Sequence, residues 1–208
     1  MSKKIKILCL SRAPLDFFGG IPSTCLNLYK DIGLDVTCYS YSVKNNLKKK
    51  IKRKFGNINE FVFPSEIISG TFAISLRYFF HILFDNNKYK YIHLQYPDPF
   101  SSLTLLIKKI FNPNINILIT WHAEIYKTYY LLSPFLFLLD FFIFFFAKKI
   151  IYFTPYHVRD SILAKLPFVL KKITIIPYCL DNKLLESFYL PKPANKNLKE
   201  KKFINILS

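Results

Sequence analysis

The chain has 208 residues, enough for one large domain, or for one domain and the beginning of another. Half of the residues are apolar, which excludes global disorder and allows a substantial core. The net charge of +17 favours anionic partners such as a membrane surface, nucleic acid or a phosphorylated ligand.

Strand-length apolar runs alternate with helical patterns along the chain. Ile5 to Leu10 reads as a first strand and Pro22 to Ile32 as a helix, with Pro22 in its first turn and Gly33 at its stop. Asp35 to Tyr41 is a second strand, rich in Val, Thr and Tyr. The basic run from Lys44 to Lys54 is expected as a loop or an exposed helix. A short strand follows at Asn59 to Phe63, then a helix from Ile67 to Phe84. Tyr89 to Leu94 and Ile115 to Thr120 read as strands around a helix from Pro99 to Phe111. A helix from Tyr130 to Ala147, a strand from Lys149 to Phe153 and a helix near Val158 to Leu166 come next, and Ile173 to Ile176 is the last strand of the series. This order predicts an α/β fold, a Rossmann-like doubly wound parallel sheet whose strands are apolar on both faces.

Residues 182–202, with Pro191, Pro193 and many lysines, read as a basic linker. Residues 203–208 read as the first strand of a truncated second domain, after a first domain of residues 1–181. No secretory signal is expected at the amino terminus. Cys9, Cys25, Cys38 and Cys179 lack paired spacing such as C-x-x-C, so no metal is expected and the thiols read as buried and reduced, as suits the cytoplasm.

The segment Tyr129 to Ala147 is almost wholly apolar and approaches the roughly 20 residues that span a bilayer. Asp140 sits in its middle, and a central Asp costs about 3 kcal/mol on insertion. A buried crossover helix is expected, with contact at a membrane surface and a true span as alternatives.

Two patterns fall where strands run into loops, the edge at which open parallel sheets bind ligands. Gly19-Gly20 follows the first strand and precedes a helix, so its backbone can approach a ligand closely and the helix amino terminus can face a phosphate. The spacing is not G-x-G-x-x-G, and a dinucleotide site is not expected. Thr120-Trp121-His122-Ala123-Glu124 ends a later strand, where His122 can meet a sugar hydroxyl or phosphate. Asp98 can bind a substrate hydroxyl or cap the helix that starts at Pro99. His93 reads as structural, His157 as part of a helix start, and His81 has no assigned role. The lysine run lacks interleaved aromatic residues for base stacking, so nucleic acid is not expected as a partner.

Gly19-Gly20, Gly33-Leu34-Asp35-Val36-Thr37, Tyr91 to Gln95 with Pro97-Asp98-Pro99, Thr120-Trp121-His122, Ile150 to Thr154, and Ile173 to Tyr178 with Leu180-Asp181 occur in one order. In that order they resemble the N-terminal domain of a GT-B glycosyltransferase of family 4, a group with many mannosyl- and glucosyltransferases. The resemblance implies one half of a GT-B fold, facing a C-terminal domain that binds the nucleotide of a UDP- or GDP-sugar. It implies transfer of a hexose to a glycan or lipid-linked acceptor in surface polysaccharide biosynthesis, with no cofactor and no metal. His122 corresponds to the family's catalytic histidine, and Gly19 and Gly20 to its glycine loop. Asp98, Thr120 and Glu124 are expected to bind substrate. Cys179 replaces the glycine that usually precedes the Asp at this domain's end. The donor-binding groups lie outside this chain, which alone is expected to be inactive. The basic loop and aromatic helix would meet anionic lipid at the inner membrane face. The alternative is a truncated, non-catalytic binding module or a gene remnant.

Overall fold

The computed structural model describes residues 5–17, 19–29, 33–42, 47–69, 72–125 and 130–177. The linker, the expected second-domain strand, Cys179 and Asp181 lie outside these residues.

Eight strands form one sheet in the order β10 (Ile173–Ile175), β9 (Ala147–Tyr152), β8 (Ile117–Trp121), β7 (Tyr91–Tyr96), β1 (Lys6–Ser11), β2 (Asp35–Tyr41), β4 (Ile58–Phe63) and β3 (Ile51–Phe55). All neighbours are parallel except β3 and β4. The chain builds outward from β1 through β2 to β4, then returns to β7 on the other side of β1. The β1–β7 boundary is therefore the topological switch point, where loops diverge and a crevice opens.

The two faces of the sheet differ in chemistry. Leu8, Leu10, Tyr39, Tyr41, Leu94, Tyr96, Ile117 and Ile119 form an apolar core on one face. Helices α2 (Leu76–Phe84), α3 (Pro99–Phe111) and α4 (Ser133–Phe146) pack side by side over it. The other face lies under α1 (Gly20–Tyr29), with Ile7, Cys9, Cys25, Tyr29, Val36, Cys38 and Ile58 in its core. Its strand rows carry buried polar groups, namely Ser11, Ser40, Glu60, His93, Gln95 and Thr120. The expectation of strands apolar on both faces is corrected here, because His93 and Gln95 alternate with apolar residues in β7 and find partners on the α1 side.

The basic run is corrected in part. Residues 51–55 form β3, hairpinned to β4 through Gly56-Asn57, and Gly56 has a φ of 58° that suits glycine. Lys50 and Lys52 lie over the Phe61 and Phe63 rings, so aromatic partners come from the neighbouring strand. Lysines along an edge strand also oppose edge-to-edge pairing.

The helix expected at Ile67 to Phe84 is three elements, two short strands and a helix. Ile67–Ser69 (β5) and Phe72–Ile74 (β6) pair as a small hairpin, consistent with their β-branched residues. Ser75 then caps α2 by accepting from the Tyr78 N–H at 3.2 Å. In place of the helix expected at 158–166 stand α5 (Pro155–Asp160), a 3-10 turn at Leu163–Lys165 and α6 (Pro167–Leu170), with Pro155 and Pro167 opening the two helices and Ser161 ending the first. Helix α1 begins at Gly20 and is described as far as Tyr29.

Helix α4 has 14 residues, and Ala147 already belongs to β9. Its inner side buries Leu136, Leu139, Ile143 and Phe144, while Phe135, Leu138, Phe142 and Phe145 remain exposed. Asp140 points inward and accepts from the Tyr96 hydroxyl at 2.8 Å. Among the described residues, no helix is long and apolar enough to cross a membrane.

Candidate functional site

Strand alternation positions His122. Leu118, Thr120 and His122 occupy every second place, so His122 continues the α1-facing row just beyond the end of β8. Its N–H bonds to the Tyr96 carbonyl at 3.0 Å, which extends the β7–β8 pairing by one residue. Its Nε2 lies 2.9 Å from the Gln95 Oε1. An amide oxygen only accepts, so Nε2 carries the hydrogen and the lone pair sits on Nδ1. Burial, with the nearby His93 and His157, lowers the His122 pKa to about 4. The ring is therefore neutral at physiological pH, and the Phe153 ring packs beside it.

The glycine pair reaches the same edge and face from β1. Gly19 precedes α1 and Gly20 opens it, while Gly19 and Gly20 carbonyls accept from the Ser23 and Thr24 hydroxyls. Gly19 does not have a positive φ, and a Cβ there would meet only ordinary contacts at 3.7 and 3.9 Å. Its usefulness thus lies in backbone access, not in strain. Buried Glu60 on β4 fixes the loop that leads to it, accepting from the Leu15 N–H at 2.8 Å and the Ser40 hydroxyl at 2.9 Å. Arg53 of the basic run pairs with Asp16 in that loop.

The remaining expected site residues have structural partners. Thr120 is buried and bonds to His93 Nε2 at 2.7 Å, and the other His93 nitrogen meets the Tyr29 hydroxyl. Asp98 is fully buried and caps α3, accepting from the Ser101 N–H at 3.2 Å and the Tyr41 hydroxyl at 2.7 Å. Burial raises its pKa, opposed by its hydrogen bonds and by the nearby Arg12 guanidinium. Glu124 accepts from the Ile162 N–H at 2.5 Å and ties the β8 loop to the segment after α5. The structure therefore brings Gly19, Gly20 and His122 to one edge and face, whereas Thr120 and Asp98 serve the interior.

Three contributors escaped the sequence reading. Gln95 orients His122, Glu60 holds the glycine loop, and Arg12 places a cation one residue beyond β1. The His93–Gln95 alternation in β7 was a usable signal for Gln95. Glu60 depends on a strand pairing that local pattern does not specify. Trp121 Nε1 and His157 Nδ1 are buried without a hydrogen-bond partner among the described residues, and their rings lie 5.3 Å apart, with Trp121 in the core on the face opposite His122. No protein-family model matches the chain, and no curated protein matches it.

Proposed function

We propose that this chain is the acceptor-side domain of a sugar transferase of the GT-B, family 4 kind. In this reading it positions a glycan or lipid-linked acceptor while a hexose is transferred from a UDP- or GDP-sugar, in the assembly of surface polysaccharide. The observation that carries the reading is the convergence of His122, oriented by Gln95, with the glycine start of α1 at the switch point of a doubly wound sheet. A neutral imidazole oriented by Gln95 stands at the edge where a sugar hydroxyl would bind. The amino terminus of α1 and the Arg12 charge favour phosphate at the same edge.

The exposed aromatic side of α4 and the +17 charge support work at the inner face of a membrane, as a peripheral protein of the cytoplasm. The nucleotide would be held by a separate donor-binding domain. The test is transfer by the chain supplied with such a domain, across a panel of UDP- and GDP-hexoses and a lipid-linked acceptor. Turnover with one donor, reduced at least 100-fold by His122→Ala, is the expected result. Absence of turnover with every donor would leave a binding module without catalysis.

A further inference from the structure

Three of the chain's four cysteines meet at one point under α1. Cys9 comes from β1, Cys38 from the paired position on β2, and Cys25 from the middle of α1. All three are free thiols with no solvent exposure. Their Sγ atoms lie within 4.8 Å of one another, and those of Cys9 and Cys25 are 3.2 Å apart. Three thiolates around a zinc-sized ion, at metal–sulfur distances of about 2.3 Å, stand roughly 4 Å apart. The cluster therefore has the size of a three-sulfur coordination sphere before any side chain moves. Spacing along the chain hides it, because register and helix packing create it.

The surroundings also suit a cation. The row across the sheet reads Glu60, Cys38, Cys9, His93 on β4, β2, β1 and β7. Glu60 is fully buried, and its Oε2 has no hydrogen-bond partner among the described residues. Arg53, at the paired position on β3, already offsets part of the cost of that buried carboxylate, and Glu60 adds an oxygen ligand next in the row to the sulfur atoms. On the other side, the Gln95 amide donates to the Cys9 Sγ at 3.7 Å, the outer-sphere contact that orients a thiolate ligand. Thiols that only fill a core do not need three sulfur atoms converging from three elements.

We infer that Cys9, Cys25 and Cys38 form a binding site for one soft cation of the zinc and copper(I) class. The site is distinct from the His122 edge and does not depend on the transferase reading. Binding of a divalent ion is written as three thiols plus the ion giving a tris-thiolate complex and three protons, with no change in oxidation state. The ion would staple β1, β2 and α1 together. Because Cys25 lies five residues into the helix that Gly20 opens, the staple would also fix the glycine start of α1. Gln95 bridges the two regions, with its amide nitrogen on Cys9 and its amide oxygen on His122.

The experiment titrates the reduced full chain with Cd2+ in the absence of oxygen. Uptake should saturate at one ion per chain, with the ultraviolet thiolate-to-cadmium band, release of about three protons per ion and a rise in Tm. Cys25→Ala and Cys38→Ala should each weaken binding by more than the roughly 10–100-fold that loss of an outer-sphere partner brings. Cys179→Ala should leave uptake unchanged. Circular dichroism establishes that each variant is folded. If an alanine variant does not fold, X-ray absorption at the cadmium edge on the wild-type chain decides by counting three sulfur neighbours. No saturable uptake, fewer than three sulfurs, or full uptake by folded Cys38→Ala would overturn the site.

Discussion

Burial and two neighbouring imidazoles hold His122 neutral, with a pKa near 4 against a usual value near 6.5. The sign of the linked stability follows. The unfolded chain binds a proton at His122 as pH falls through 6.5, whereas the folded chain does so only near pH 4. Stability is therefore lost across that window as pH falls. His122→Gln should flatten this part of the pH–stability curve, and histidine NMR on the folded chain should show one ring titrating near pH 4. Asp98 carries a different prediction. It accepts from the α3 backbone and from buried Tyr41, so Asp98→Ala removes a cap and orphans a hydroxyl. A loss of about 2–3 kcal/mol in urea unfolding is expected. Unchanged stability together with weakened ligand binding would instead make Asp98 a contact of the substrate.

At the scale of elements, α4 divides cleanly between two roles. Phe144 is fully buried against Tyr96, with ring centroids 5.3 Å apart. Phe144→Ala should destabilise the fold by about 3–5 kcal/mol. Phe142 is 43 % exposed, and Phe142→Ala should change stability by roughly 0.5 kcal/mol or less. Its effect should appear on vesicles that contain anionic lipid. Loss of both Phe135 and Phe142 to Ser should lower the partition constant for such vesicles, read by sedimentation, by about tenfold, at roughly 0.7 kcal/mol for each partly inserted ring. Equal binding by the double variant would remove α4 from any lipid contact. The composition of α4 foreshadowed both roles, because a helix apolar all round has more apolar surface than one sheet can cover. Which phenylalanines face inward was decided by packing against β7, and the sequence pattern alone did not specify it.

Across the whole molecule, the alternation of strands and helices was legible, because buried parallel strands and their crossovers have distinct lengths and residue types. Asp35–Tyr41 and Pro99–Phe111 match the expected bounds, helped in the second case by Asp98 and Pro99 at the helix start. The hairpins at 51–63 and 67–74 were not legible as hairpins, since their pairing competes with a helical or loop reading until tertiary contacts form. The placement of Gly19, Gly20 and His122 at the carboxyl edge was legible from strand ends alone. The side-chain environment was not, because Gln95, Glu60 and the three-thiol cluster depend on which strands lie side by side. Thr120 shows the same limit, having the correct strand end but facing His93 in the interior.

On the proposed reading, ligand meets this chain at the carboxyl edge of β1, β7 and β8, on the side of α1. The most direct measurement is amide chemical-shift mapping on the isotopically labelled chain, titrated separately with a lipid-linked oligosaccharide analogue and with UDP- and GDP-hexoses. Saturable shifts with the oligosaccharide analogue, confined to residues 12–20, 95–98 and 121–125 and abolished by His122→Ala, are the expected result. Shifts clustered at the opposite edge, or none with any of these ligands, would contradict it.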